Sequence, residues 1–349
     1  LRCVGRVHIN LEGGAQASQT RCTMTAGLDQ RVRSYLLFYK RLTSPAARDP
    51  RELLVHIAVE TSDVHSLQAL CDAGVDTNFP MQESGATPLC IACFHGRVAC
   101  MRVLLDTGTC ALNQAAHDGI TPLLMACHQG RSACVRLLCE AGADANLSAA
   151  DRFEAGTTPL YISCRLGHIQ CARLLLNAGA ARDRPVGPNR VTPLHVACND
   201  GHAPVVQLLC DARAAPNLGA SNGSTPLLTA SGEGHVVCTR LLLAAGAVVN
   251  QASDNGVTPL LTACYSNRPE CARLLCAAGA HVDLADGDAT TPLLVATLNG
   301  NVECMRVLCD AGADTNCARA NGNTPLLTAC AEGRADCARV LLECDVREC

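Results

Sequence analysis

Residues 156 to 179 read GTTPLYISCRLGHIQCARLLLNAG, and this stretch decides the fold. An apolar run begins at Thr158-Pro159 and ends at Gly167, and a second run ends at Gly179. Thr is a good helix N-cap, and Pro is tolerated in the first turn because its missing N–H would have no intrahelical partner. Gly suits the left-handed residue that ends a helix. The stretch therefore predicts two short antiparallel helices joined by a tight turn.

The same pattern recurs along most of the chain. Thr-Pro-Leu occurs eight times, and the spacings between successive prolines are 34, 37, 34, 33, 33, 33 and 33 residues. Self-similarity at such a period is the signature of a repeat array. Aromatic residues make up 2% of the chain and Trp is absent, which favours thin layers of short helices over one thick core. The repeat prolines are Pro88, Pro122, Pro159, Pro193, Pro226, Pro259, Pro292 and Pro325.

Helix, tight turn, helix and polar loop at this period resemble the ankyrin repeat, over roughly residues 51 to 344. The resemblance implies an all-α repeat solenoid of stacked helix-turn-helix units with projecting β-hairpin loops. An ankyrin repeat domain is expected over 51–349, in units that start near 51, 84, 118, 155, 189, 222, 255, 288 and 321. Residues 1–50 show neither Thr-Pro nor the Gly spacing, and they are expected to be mostly irregular or disordered.

Three departures from the pattern predict local changes. Arg213 stands where a second helix should end in Gly, and an insertion around Asp151 to Glu154 lengthens one loop. In the last unit Asp345 replaces the expected Gly, which suggests a truncated C-terminus.

The 25 cysteines favour positions five, twelve and seventeen residues after the repeat prolines. In the ankyrin pattern these positions face the packed interior, where free Cys behaves as a small hydrophobe. A zinc site at Cys90 and Cys93, with His95 and Cys100 nearby, is the alternative, but no second pair converges on it. We therefore expect no metal and no cofactor. So many unpaired thiols favour a reducing compartment, the cytoplasm, with the nucleus as the alternative.

The sequence gives no sign of an enzyme. His168, His202 and His235 follow the Gly between the helices, where ankyrin repeats place His for hydrogen bonds between neighbouring units. No Ser-His-Asp or Cys-His constellation can be assembled without arbitrary choice, and no phosphate-binding Gly-rich loop occurs. The expected function is therefore non-catalytic.

An Arg recurs fourteen residues after seven of the eight repeat prolines. The row could bind phosphate, but acidic neighbours on the same helices predict intrahelical ion pairs and a solvated outer face. These neighbours are Asp106, Glu140, Asp310 and Glu343 at i+4 and Glu270, Glu303 and Asp336 at i−3. The net charge is −4 and no apolar run spans a bilayer, so neither a nucleic-acid nor a membrane partner is expected. The row consists of Arg102, Arg136, Arg173, Arg240, Arg273, Arg306 and Arg339.

The resemblance places partner binding on a concave face built from loop tips and first helices. We predict a non-catalytic protein-protein interaction scaffold, monomeric, with Phe94, Tyr265 and Phe153 as anchors. Two alternatives are a substrate-recruiting adaptor of a ubiquitin ligase and the regulatory part of a larger enzyme or channel. The remaining predicted contact residues are Glu83, His95, His117, Asp118, His128, Gln129, Arg165, Leu166, Asn199, Asp200, Glu233, Asp254, Leu298 and Glu332.

Overall fold

The computed structural model describes residues 50–149, 156–319 and 322–348. In these ranges the helices form nine consecutive pairs, one for each predicted unit. The expectations for residues 1–49, Phe153 and the insertion fall outside the described residues. In chain order the helices are α1 (Pro50–Thr61), α2 (Val64–Asp72), α3 (Pro88–His95), α4 (Val98–Asp106), α5 (Pro122–His128), α6 (Ser132–Glu140), α7 (Pro159–Arg165), α8 (Ile169–Asn177), α9 (Pro193–Asn199), α10 (Ala203–Asp211), α11 (Pro226–Glu233), α12 (Val236–Ala244), α13 (Pro259–Tyr265), α14 (Pro269–Ala277), α15 (Pro292–Asn299), α16 (Val302–Asp310), α17 (Pro325–Ala331) and α18 (Ala335–Glu348).

The Thr-Pro pairs begin the first helix of each unit, as predicted. Thr158 has an extended backbone, and its hydroxyl accepts a hydrogen bond of 3.2 Å from the backbone N–H of Tyr161. The same cap recurs at the other seven Thr-Pro pairs. Each cap satisfies an N–H that would otherwise lack a partner in the helix.

Left-handed residues separate the helices. Gly96 has a φ of 70°, and Asn267 takes the same conformation at 54°. Arg213 adopts it too, at 59°, although a side chain makes that conformation costly. The missing Gly at 213 therefore does not change the course of the backbone. At the other departure, Asp345 lies within α18, which runs on to Glu348.

The units stack in two layers of helices. Each first helix from α3 onward packs against the first helix of the next unit, and the second helices pack in the same way from α2 onward. Small residues make this close stacking possible: Ala92, Ala126, Ala197 and Ala263 have no exposed surface. The prediction of an all-α repeat solenoid is confirmed.

The projecting loops are tight turns closed by backbone hydrogen bonds. In one loop the N–H of Ser253 donates to the carbonyl of Val257 at 3.0 Å, and the N–H of Asp254 donates to the carbonyl of Asn222 in the preceding loop. Within the described ranges, β pairing is limited to one antiparallel bridge, between Val186 and Val191. The loops thus continue the stacking of the helices.

A ladder of side-chain hydrogen bonds runs along the turns that follow the second helices. The Asn217 Oδ1 atom accepts from the N–H of Val248 at 2.8 Å, and its Nδ2 atom donates to the carbonyl of Gly246 at 3.2 Å. Asn250 repeats both contacts one unit later, with the N–H of His281 and the carbonyl of Gly279. These bonds fix the spacing between units.

No helix in the described part of the chain combines the length and apolarity needed to cross a membrane.

Candidate functional site

The last residues of the first helices project from the array. Together with the projecting loops they form a surface that we call the loop face. Phe94 at the end of α3 is 44% exposed, Leu166 after α7 is 40% exposed, and Tyr265 at the end of α13 is 63% exposed. By contrast, Cys93 and Cys264, one residue earlier, are fully buried. The helix rotation of about 100° per residue turns the following side chain out of the core.

The predicted contact residues all lie at accessible or half-accessible positions of the loop face, except that Phe153 is not among the described residues. Four of them are half-buried: Asp118, His128, Gln129 and Leu298. The exposed ones are Glu83, Phe94, His95, His117, Arg165, Leu166, Asn199, Asp200, Glu233, Asp254, Tyr265 and Glu332.

Neighbouring residues of this set also contact each other. The rings of Phe94 and His95 meet edge to face with their centroids 4.9 Å apart. The Asn199 Nδ2 atom donates a hydrogen bond of 2.8 Å to the Asp200 carboxylate.

A cleft of about 460 Å³ opens on the loop face between α7, α9 and α11. Three predicted residues, Arg165, Asn199 and Asp200, lie in its wall. The other residues that line the cleft were not predicted from the sequence, because the cleft is bounded by loops of different units that only stacking brings together. The further lining residues are Tyr161, Asn189, Val191, His195, Val196, Ala220, Ser221, Asn222, Ser224 and Thr229.

His195 in the cleft wall has both ring nitrogens occupied. Its Nε2 atom donates to the carbonyl oxygen of Ser224 at 2.7 Å, because that oxygen can only accept. The Nδ1 atom then accepts from the Thr192 hydroxyl at 2.9 Å. Burial lowers the pKa of the His195 imidazole and favours its neutral form. His195 therefore joins two units and is not free to act as a base.

Two of the three histidines after the inter-helix Gly also link units, as the resemblance predicts. The Nε2 atom of His202 lies 3.0 Å from the carbonyl oxygen of Arg165, and that of His235 lies 2.9 Å from the carbonyl oxygen of Asn199. The His168 ring shares only their packing: it lies over Gly130, as the rings of His202 and His235 lie over Gly167 and Gly201, and a Cβ atom on any of these glycines would collide with the ring.

Gly232 interrupts the row of projecting side chains between the cleft and Tyr265. It occupies the place in α11 that Phe94 and Tyr265 occupy in their helices. A Cβ atom on Gly232 would lie 2.5 Å from the Cγ2 atom of Thr262 in α13. The glycine therefore permits a close approach of α11 and α13 and leaves a gap in the row.

Charge is unevenly distributed over the loop face. Beyond the cleft, exposed Glu233, Asp254, Asp288 and Glu332 place carboxylates along the later units. Arg165 lies at the cleft itself. A partner segment with basic groups at one end would complement this arrangement.

The arginine row on the second helices is only partly paired. Arg273 and Arg339 bond to acidic residues three positions earlier, Glu270 and Asp336. Arg306 contacts Glu303 at 4.0 Å and, on the neighbouring helix, Glu343 at 3.7 Å. Within the described ranges the other four arginines form no ion pair, so the predicted i+4 pairs with Asp106 and Glu140 are wrong. Long exposed side chains gain little from such pairs and remain solvated.

The cysteines divide by position. Those five and twelve residues after a repeat proline are buried, as predicted, except Cys330, which is exposed in the last unit. The cysteines seventeen residues after a repeat proline are only half-buried, so the prediction of a buried position is wrong for them. They lie one residue beyond the apolar stripe of the second helix. The half-buried ones are Cys139, Cys210, Cys276 and Cys309. Among the described residues no group of three or more His, Cys, Asp or Glu side chains could hold a metal ion.

Comparisons with known proteins agree with this architecture. No curated protein matches the chain. The ankyrin domain of human ASB11 is a similar solved structure, with a TM-score of 0.58 and 30% sequence identity over 64% of this chain and 98% of that chain. A family model described as ankyrin repeats (3 copies) matches residues 55–149, 146–220, 212–286 and 280–348. Since these matches span most of the chain and the helix pairs repeat in the same phase, the chain belongs to the ankyrin repeat family.

Proposed function

We propose that this protein is a non-catalytic scaffold that binds a protein partner along its loop face, the face predicted from the sequence to be concave. The observation that carries the proposal is the row formed by Phe94, Leu166 and Tyr265. Three large apolar side chains are exposed there in a chain that has only eight aromatic residues. Exposed aromatic side chains are frequent anchors of protein interfaces.

The cleft supports an extended segment as the bound part of the partner. Its wall mixes apolar Val191 and Val196 with the side-chain amides of Asn189 and Asn199. Such amides can donate to and accept from a peptide backbone. The carboxylates of the later units would attract basic residues of the same segment.

Capture of a partner from the source cells tests the proposal. Phe94→Ala and Tyr265→Ala should each weaken binding by about 2 kcal/mol while leaving the helical circular dichroism intact, because both side chains project from the array. Val237→Ala is the matched control, since Val237 is 55% exposed on the second helix α12. Arg173→Ala and Arg273→Ala test the outer helices. If these arginine changes abolish capture and the aromatic ones do not, the loop face is not the binding surface.

A second candidate function is substrate recruitment to a ubiquitin ligase. It requires an adaptor-binding segment in addition to the repeats. Co-purification with a ligase adaptor from the source cells, retained in Phe94→Ala, would support this function.

We place the protein in the cytoplasm, as a monomer, and take residues 51–349 as a unit that folds without residues 1–50. Reduced thiols suit that compartment. Removing residues 1–50 should leave the midpoint of thermal unfolding nearly unchanged. A large loss of stability would show that the segment caps the array.

A further inference from the structure

An apolar patch lies on the turns that follow the second helices, where the Asn ladder runs. We call the surface of these turns in the fifth, sixth and seventh units the ladder face. Leu218, Val248 and Leu284 are 39%, 52% and 40% exposed there. Soluble proteins seldom expose several large apolar side chains close together unless the patch binds a partner. None of the three lies on the loop face, so the proposed function does not account for them.

The ladder holds these side chains in neighbouring units. Asn217 directly precedes Leu218, and its Oδ1 atom accepts a hydrogen bond of 2.8 Å from the N–H of Val248. Asn250 makes the next link, to the N–H of His281 at 2.9 Å, in the turn that holds the third apolar residue. The patch therefore spans three consecutive units.

The patch continues into a groove of about 510 Å³ between the turns of the seventh and eighth units. Val282, Leu284 and Ala311 give the groove apolar lining, and Asp283 adds a carboxylate. Such a groove suits an apolar side chain of a partner that carries a positive charge near by.

The fifth unit places positive charge at the other end of the patch. Arg213 is exposed after α10, and the Arg182 Nε atom donates to its carbonyl oxygen at 3.1 Å. Two carboxylates of this region are already engaged: Asp183 pairs with Arg182 at 3.6 Å, and Asp211 accepts from the Gln207 side chain at 2.7 Å. Among the described residues the Arg213 guanidinium forms no ion pair, so its charge is available to a partner.

Negative charge gathers at the groove end. Asp283 and Asp314 are exposed, and the Asp283 Oδ1 atom accepts from the N–H of Asp314 at 3.0 Å. This hydrogen bond brings two carboxylates together on consecutive turns. In the part of the chain that the structure describes, neither pairs with a basic side chain. The ladder face is thus basic at one end, apolar in the middle and acidic at the other end.

The backbone at Arg213 adds a second observation. Arg213 has a φ of 59° at a position where Gly246, Gly279 and Gly312 serve the later units. A side chain costs stability in this left-handed conformation, and residues held in it are frequent at functional sites. The strain is consistent with a use for this side chain at the end of the patch.

The ladder face suits a helix better than an extended strand. The carbonyls of Gly246 and Gly279 accept hydrogen bonds from the ladder, and the N–H of Val248 donates to it. These backbone groups are not available to an added strand, whereas a helix bonds its own backbone.

We propose that the ladder face binds an amphipathic helix of a partner protein, with acidic residues at one end of the helix, an apolar stripe, and basic residues at the other end. Packed helices lie about 10 Å apart, and seven residues of an α-helix rise by about 10.5 Å. Apolar residues at a spacing of seven therefore meet Leu218, Val248 and Leu284 in turn. The acidic end lies at Arg213 and the basic end at Asp283.

A synthetic helical peptide of about 18 residues provides the probe, because two unit spacings need about 14 residues and each end carries charged residues beyond them. It has Glu in its first turn, Leu along one face and Lys in its last turn. Fluorescence anisotropy with the full chain measures its affinity. A peptide of the same composition with the Leu stripe scrambled should bind at least about tenfold more weakly.

Four substitutions use residues that the chain already has at the equivalent positions, so that the fold is retained. Gln251 is the counterpart of Leu218 and Leu284, and Leu218→Gln and Leu284→Gln should each weaken peptide binding by about tenfold. Arg213→Gly and Asp283→Asn keep the backbone and the ladder acceptor. Each should cost about threefold in affinity at low ionic strength and little at about 0.5 M salt.

The controls separate this surface from the loop face. Phe94→Ala, Tyr265→Ala and Val237→Ala should leave peptide binding unchanged, and circular dichroism should be the same for all variants. Equal binding of the scrambled peptide, or unchanged affinity in Leu218→Gln and Leu284→Gln, would overturn the proposal. A dimer of the original chain that Leu284→Gln dissociates in sedimentation would also overturn it, because a second copy would then cover the patch.

Discussion

The Nε2 atom of His195 donates a 2.7 Å hydrogen bond to the carbonyl oxygen of Ser224, which lies 29 residues later in the chain. His56 makes the equivalent contact with the carbonyl oxygen of Phe79, also at 2.7 Å. Both imidazoles are buried, and each ties the first helix of its unit to a loop farther along the chain. Neither loop could be positioned in this way by local sequence.

Acid should destabilise the array through these two histidines. Burial lowers the pKa of both in the folded state, whereas in the unfolded state they titrate near 6.5. The unfolded chain therefore binds protons first as the pH falls below about 6.5, and the free energy of unfolding should drop by up to about 1.4 kcal/mol per pH unit and histidine. Urea denaturation at about pH 7.5 and about pH 5.5 measures this effect.

His195→Leu is the control for the acid effect, because Leu261 holds the same place in another unit. The substitution should remove part of the pH dependence. If acid lowers the free energy of unfolding equally in His195→Leu and in the original chain, then His195 does not contribute to the pH dependence.

The Asn ladder should contribute measurably to stability. Asn250→Ala removes both the acceptor for the N–H of His281 and the donor to the carbonyl of Gly279, at an expected cost of about 1 to 2 kcal/mol in the free energy of unfolding. Asn250→Asp should cost less, because it keeps the acceptor, as Asp183 does for Ala215. Exposed Asn255 supplies the control: Asn255→Ala should change stability little. Equal effects of all three changes would contradict the role of the ladder.

Gly232→Ala should be destabilising although Ala is the better helix former. The added methyl would lie 2.5 Å from the Thr262 Cγ2 atom, and the Thr262 hydroxyl holds that rotamer by donating to the carbonyl of Thr258 at 3.1 Å. Overpacking of this kind costs about 1 to 3 kcal/mol. In a double-mutant cycle followed by thermal denaturation, Thr262→Ser should restore most of the loss. Additive effects of the two changes would show that the side chains do not clash.

Native thiol reactivity should follow burial. In a titration with a bulky disulfide reagent, Cys330 should react before the buried thiols of the described residues, because it is the exposed member of its positional class. Cys134, Cys171 and Cys271 should react only after unfolding. Cys330→Ser should remove one thiol from the fast phase. Rapid labelling of the three buried thiols in the native protein would contradict the packing of the second helices.

Several features of the fold could be predicted because they depend on nearby residues. Thr158 and Pro159 begin a helix by capping its first turn, and Gly167 ends it by accepting a left-handed backbone. Eight copies of this Thr-Pro and Gly pattern, all in the same phase, predict the helix pairs and the two-layer stack. The exposure of Phe94 and Tyr265 also follows from periodicity, since each lies one helical step beyond a buried Cys.

The stacking of separate units decided the rest. The cleft between α7, α9 and α11 exists because loops near Asn189 and Ser221, which are 32 residues apart in sequence, lie next to each other. Likewise, the Asn301 Nδ2 atom donates to the carbonyl oxygen of Cys264 at 2.8 Å only because the two units stack, since these residues are 37 positions apart in the sequence. Sequence periodicity fixes which side of a helix a residue faces. Which residue of the next unit it meets depends on the small side chains, such as Gly232, that set how closely neighbouring helices approach.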